Sequence, residues 1–193
     1  MKMKEIVKFK DILDKTLFLS LNDELTKYAR WELNNWTAIE DMPEDLIWNL
    51  ERHEYYSAVF YKVATIIKLK VLKYIKKDIR LVRIYSNGQT CHQRSYFHTD
   101  FDPEYYYTFI LFSNLHWDAN WGGHFICHNP ITDTYDYTSY VPNCGVLIPA
   151  YWSHTGNSPN VNTHEFRTTL AFSFIETENL RDCVFDKELI RFK

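Results

Sequence analysis

A run of about 20 apolar residues, the length a membrane helix needs, occurs nowhere in the 193-residue chain. A basic excess is missing too: the formal net charge is −3 at pH 7, so the chain lacks the overall charge with which a protein holds nucleic acid by its phosphates. The four cysteines, Cys91, Cys127, Cys144 and Cys183, form no C-x-x-C pair and are too sparse for a secreted disulfide scaffold. A reducing compartment is the simpler expectation. MKMKEIVKFKDILDK at the N-terminus has no apolar core of the kind a secretory signal carries, and the expected location is cytoplasmic. No linker, internal repeat or low-complexity stretch interrupts the chain. What is present is core-forming material, 46% hydrophobic and 17% aromatic, enough for one sizeable domain over residues 1–193.

The first 78 residues or so read as helical support. Ser20, with Asp23 three residues later and Glu24 beside it, resembles a helix start, and Leu25, Tyr28, Ala29, Leu33 and Trp36 follow at helical spacing. Pro43 opens a second helical stretch. Between Glu54 and Lys77 the residues Tyr55, Val59, Val63, Ile66, Ile67 and Tyr74 fall near a 3.6-residue repeat, while Lys62, Lys68, Lys70, Lys73 and Lys76 lie largely elsewhere on the wheel. That pattern predicts an amphipathic helix laid on an apolar surface, with the lysines as its solvated face.

After Lys77 the period changes. Ile79 to Tyr85, Tyr106 to Asn114, His124 to His128, Gly145 to Ala150 and Phe166 to Ile175 are short β-branched or aromatic runs bounded by Gly, Asn, Asp and Pro. Helices followed by strands predict an α+β domain, with a strand-built core over about 79–176 and a C-terminal extension over 177–193. The last run shows the logic of two faces. Arg167, Thr169, Ala171 and Ser173 share one side, polar and small enough to line a cavity; Leu170, Phe172 and Phe174 share the other, apolar enough to receive helices.

Chemistry enters at His98-Thr99-Asp100. Residues two apart on a strand point the same way, so His98 and Asp100 can reach one metal ion while Thr99 faces away. A further histidine from a distant strand completes the two-His-one-carboxylate set that holds Fe(II) with open positions opposite, and His154 is the candidate. Asp102 has the same parity, but Pro103 ends its strand. His124 and His128 share a face without a carboxylate on their run; His53, His92, His116 and His164 have no partner pattern and read as ordinary histidines. Arg167, thirteen positions after His154, points into the same cavity, where its planar guanidinium suits a carboxylate ligand or, alternatively, a structural acid.

His98-Thr99-Asp100, YTFILFSN from Tyr107 to Asn114, Trp117, Trp121-Gly122-Gly123, Pro142, Gly145-Val146-Leu147-Ile148, His154 and RTTLAFSF from Arg167 to Phe174 together resemble the Fe(II)- and 2-oxoglutarate-dependent oxygenases, nearest to their prolyl 4-hydroxylase-like branch. The resemblance runs from about Leu81 to Phe174. It implies a double-stranded β-helix, or jelly roll, with supporting N-terminal helices. It also implies a hydroxylase that uses O2 and converts 2-oxoglutarate to succinate and carbon dioxide. His98, Asp100 and His154 would bind Fe(II), Arg167 would hold the far (C5) carboxylate of 2-oxoglutarate with help from Thr169, and Tyr85, ahead of an Asn87-Gly88 turn, matches a tyrosine that hydrogen-bonds the cosubstrate.

Two departures from the family stand out. Phe112 occupies the place of a tyrosine that assists the C5 carboxylate, leaving Tyr106 or Thr108, on the same strand face by parity, as candidates to compensate. The segment from Tyr85 to His98 is about three residues longer than usual. Gln89, Arg94, Tyr96, Phe97, Phe101, Tyr105 and Tyr106, with Trp152, are read as a rim that grips an extended polypeptide substrate. The alternatives are an oxygenase for a free small molecule or nucleobase, and a jelly-roll binding protein without turnover; nucleic acid and membrane partners are not expected.

Overall fold

A computed structural model describes residues 3–34, 47–50, 57–93 and 95–182. The elements in order are strand β1 (Val7–Phe9), helix α1 (Lys15–Asp23), strands β2 (Glu32–Asn34) and β3 (Ile47–Leu50), helix α2 (Ala58–Ile75), and strands β4 (Ile79–Gln89), β5 (Tyr106–Phe112), β6 (Phe125–Asn129), β7 (Thr134–Thr138), β8 (Gly145–Pro149), β9 (His154–Gly156) and β10 (Arg167–Glu176). Asp14, not Ser20, starts α1: its carboxylate accepts the Leu17 N–H at 2.9 Å. The helix then loosens into a π turn over Glu24–Tyr28, closed by Ala29 N–H to the Glu24 carbonyl, so Leu33 lies in β2 and not on a helix. Trp36 and residues 43–46 lie outside the described residues, but Ile47–Leu50, in the stretch that Pro43 is expected to open as a helix, form strand β3 paired with β4. Helix α2, with Ser57 as N-cap, buries Val63 and Ile67 and partly buries Val59 and Ile66 as expected, together with Phe60, Ala64 and Val71; Tyr74 is exposed instead, and Tyr55 lies outside the described residues.

The strands form two antiparallel sheets, a seven-stranded one in the order β1-β8-β5-β10-β4-β3-β2 and a three-stranded one in the order β7-β6-β9. This is the jelly roll. Helices α1 and α2 cover the outer face of the large sheet, where Leu21, Leu25, Phe60 and Ile67 pack on Ile84, Phe109, Leu147, Leu170, Phe172 and Phe174. The inner face turns toward the small sheet, and Tyr85, Ile110, Phe112, Val146 and Ala171 meet Phe125, Cys127, Tyr140 and Trp152 there. The period-two reading of β10 therefore places its two sets of side chains as expected.

Strand β4 is longer than its apolar run implies. It continues through Asn87 and Gly88 to Gln89, paired residue for residue with β10, so no turn occurs at Asn87-Gly88. Gly88 is there for space: a Cβ would lie 2.1 Å from the ring of Phe166, which crosses the strand to meet Trp31 edge-on at 5.0 Å. Lower in the strand the β4–β10 register slips. Ser173 faces Arg83, but Phe174 faces Leu81, and Val82 is left as the extra residue of a bulge.

Candidate metal and anion site

Backbone pairing brings the two histidines together. His98 and His154 exchange both N–H···O bonds, at 3.0 and 2.9 Å, an antiparallel pair whose side chains stand side by side on one face. Their rings are 4.6 Å apart. Asp100 is pinned by its own N–H to the Ala150 carbonyl at 3.0 Å, and Thr99 is exposed, as the alternation requires. The ligand atoms of His98, Asp100 and His154 lie within 4.8 Å of one another, with Asp100 Oδ2 3.6 Å from His154 Nε2 and Oδ1 4.0 Å from His98 Nε2.

Each imidazole has its tautomer set from behind. His98 Nδ1 donates to the Tyr96 carbonyl at 3.0 Å and His154 Nδ1 to that of Trp152 at 2.8 Å, which leaves both Nε2 lone pairs aimed inward. Burial drives Asp100 upward, but His154, His98 and the hydroxyls of Thr108 and Tyr85 together hold it below the ordinary carboxylate range. Burial likewise holds His154 below its ordinary value. A carboxylate held below its ordinary range beside two imidazole nitrogens that face inward is a donor set that fits a divalent metal.

The same cavity, of about 40 Å³, is walled by Tyr85, Asn87, Gln89, Ser95, His98, Ile110, Phe125, His154, Gly156, Arg167, Thr169 and Ala171. Arg167 is only 2% exposed. Its Nε donates to the Gly123 carbonyl at 3.0 Å, its Nη1 to Gln89 Oε1 at 2.9 Å, and its Cζ lies 5.0 Å from the centroid of the Tyr140 ring. No described carboxylate comes within ion-pair distance, and burial pulls the guanidinium down to about 10. The structural-acid alternative is thus excluded among the described residues. Room for the guanidinium depends on Gly156, where a Cβ would lie 3.2 Å from Nη2.

Several sequence expectations change. Thr108 does not compensate at the far carboxylate: its hydroxyl is bonded to Asp100 Oδ2, and Tyr85, although it lines the cavity, donates to Asp100 Oδ1 at 3.0 Å. Tyr106 is buried at the end of the roll with Val82, Ala150 and Ile175. Phe112 stacks on Tyr140, whose hydroxyl bridges Asn114 and the Thr168 carbonyl. The rim is also smaller than expected. Gln89 is buried against Arg167, Trp152 is fully buried, and Phe97, although 43% exposed, packs edge-on against Tyr135 and is not a cavity wall. Arg94 lies outside the described residues. Among the competing histidines, His128 pairs with Asp133 at 2.9 Å, and the described residues contain no second metal-like cluster. Gln89 was legible as a wall only by carrying the Tyr85-Asn87 alternation through Gly88. Tyr140, Gly123 and Gly156 act through contacts that no local pattern announces.

No protein-family model and no curated protein sequence matches the chain. Solved structures do. HygX from Streptomyces hygroscopicus, with nickel, 2-oxoglutarate and hygromycin B bound, superposes with a TM-score of 0.66 at 12% identity over 89% of this chain and 83% of its own. A Pseudomonas putida prolyl-4-hydroxylase gives 0.62 at 13% identity, over 89% and 92%. A prolyl hydroxylase from Trichoplax adhaerens, in complex with a hypoxia-inducible-factor degradation-domain peptide, gives 0.68 at 9% identity, over 91% and 86%. The chain has the fold of the 2-oxoglutarate- and Fe(II)-dependent oxygenases. At these identities the likeness is one of architecture.

Proposed function

We propose that this chain is an Fe(II)- and 2-oxoglutarate-dependent oxygenase that hydroxylates its substrate, with His98, Asp100 and His154 as the metal ligands and Arg167 as the anchor of the cosubstrate's far carboxylate. One observation carries the reading: a buried guanidinium without a described carboxylate beside it shares a cavity with two inward-facing imidazoles, which cluster in turn with the carboxylate of Asp100. A buried cation needs an anion, and a buried carboxylate flanked by two inward-facing imidazole nitrogens suits a cation. A dicarboxylate that chelates a metal at one end supplies both.

When bound, iron and 2-oxoglutarate would supply O2 activation, with one oxygen atom going into the succinate formed as carbon dioxide leaves and the other entering the substrate. The chain's own residues prepare that event. The Tyr96 and Trp152 carbonyls hold the imidazoles in the ligating tautomer, and Tyr85 and Thr108 keep Asp100 ionised and oriented. Arg167 binds one carboxylate with charge-assisted hydrogen bonds, Thr169 lies on the same wall, and Ile110, Phe125 and Ala171 keep water from the span between anchor and metal.

For the substrate we place a polypeptide segment first, with proline as the residue modified, on the resemblance to prolyl hydroxylases. The Trichoplax neighbour holds a peptide and HygX holds hygromycin B, so the fold serves both kinds. A small metabolite is the second reading, favoured by the thinning of the expected aromatic rim. Anaerobic titration with Fe(II) and 2-oxoglutarate, then succinate release in air against panels of proline peptides and metabolites, tests all levels. Tight binding without succinate release on any panel would leave a binding protein instead of an oxygenase.

A further inference from the structure

Gln89 ends β4 and is the direct cross-strand partner of Arg167, which begins β10. It is 2% exposed and engaged at both ends of its amide: Oε1 accepts from Arg167 Nη1 at 2.9 Å, and Nε2 donates to the Gly156 carbonyl at 3.0 Å. These two bonds fix the amide's direction, because a flip would set its NH2 against the guanidinium and its oxygen against a carbonyl. The Gly123 carbonyl takes Nε. Two of the five N–H donors of the guanidinium are therefore held by neutral acceptors, and the remaining three have no protein acceptor among the described residues.

Glutamate would fill the same space and offer the same oxygen, but it would neutralise the arginine. An amide immobilises the cation and leaves its charge uncompensated. We propose that Gln89 is a positioning and specificity-determining residue of the anion site: its neutral clamp keeps Arg167 rigid and electrostatically open, so the cavity selects ligands that carry a second carboxylate. The proposal rests on the oxygenase reading above and names the feature that makes 2-oxoglutarate preferable to a 2-oxo acid of equal length without the distal acid group.

The test compares wild type, Gln89→Glu and Gln89→Leu, loaded with Mn(II) and titrated anaerobically with 2-oxoglutarate and with 2-oxopentanoate. Wild type is expected to prefer 2-oxoglutarate. In Gln89→Glu the internal ion pair should weaken 2-oxoglutarate by roughly 10- to 150-fold, the equivalent of losing one charge-assisted hydrogen bond. Affinities for Mn(II) and 2-oxopentanoate should stay within about threefold, so the preference collapses. Gln89→Leu, which removes the clamp without adding charge, should lower the preference by about 3- to 10-fold and decides the matter if the glutamate variant does not fold. An unchanged preference in the variants overturns the proposal. So does an equal loss for both ligands, the mark of a merely structural role. If wild type itself shows no preference for 2-oxoglutarate, the oxygenase reading falls first, before any variant is measured.

Discussion

The two faces of the seven-stranded sheet are built from alternate residues of the same strands, yet they do opposite things. On β10, Leu170, Phe172 and Phe174 are sealed under the helices, while Arg167, Thr169 and Ala171, one step out of phase, wall the cavity. The outer face is closed by nonpolar contact and requires nothing from outside. On the inner face the two imidazoles are bonded from behind, while the buried Trp152 Nε1 and Ser173 Oγ have no partner among the described residues and Arg167 has no described carboxylate beside it. A fold can thus place stability and function a residue apart, with only the pleat separating them.

That separation can be broken at its functional extreme first. Asp100→Ala should abolish Fe(II) binding and succinate release while leaving thermal stability near that of the metal-free parent; metal affinity read by anaerobic titration checks it, and retained wild-type affinity would remove Asp100 from the ligand set. On the outer face, Phe172→Ala should cost about 3 to 5 kcal/mol in denaturant unfolding, because a fully buried ring is replaced by a cavity. The ratio of 2-oxoglutarate to 2-oxopentanoate affinity in the surviving folded fraction should not move. Arg167→Ala is the mirror experiment: 2-oxoglutarate affinity should fall at least about tenfold, for charge-assisted bonds of about 1.5 to 3 kcal/mol, with metal affinity unchanged. A conserved dissociation constant would mean another group holds the carboxylate.

The smallest effect concerns pH. His154 is held below its ordinary value by burial, so below about pH 6.5 the unfolded chain takes up a proton that the folded metal-free protein refuses. Stability should fall as pH drops from 7 to 5.5, by no more than about 1.4 kcal/mol per pH unit for one proton. Asp100, also held below its ordinary value, adds its loss only below about pH 4. Melting curves of His154→Gln should show a flatter dependence over the upper window; an unaltered slope would place the titration elsewhere.

The long elements were legible because they carry several periods of pattern. Helix α2 and strands β5, β8 and β10 lie within a few residues of their apolar runs. Strands β1, β2, β3 and β9, three or four residues each, exist by pairing and have too little sequence to show a period. The start of α1 was misplaced because Ser20 imitates a cap, while the working cap, Asp14, precedes Leu17, Phe18 and Leu21. At the site, the histidines, Asp100 and Arg167 were visible by residue type and spacing. What Tyr85 and Thr108 touch was not, since parity assigns a face but not a partner along it.

The bulge at Val82 divides β4 into two halves of opposite phase. Below it Leu81, and above it Ile84, both face the helices although they are three positions apart; Tyr85, Asn87 and Gln89 face the cavity because the bulge absorbs the extra residue. Length in this strand is therefore coded information. Deleting Val82 would restore a regular ladder in which Leu81 and Ile84, now two apart, both still face the helices, whereas deleting one residue between Ile84 and Gln89 would turn Gln89 out of the cavity. The same step explains why insertions are better accommodated after Gln89, where the chain has already left the sheet, than anywhere between Ile79 and Gln89.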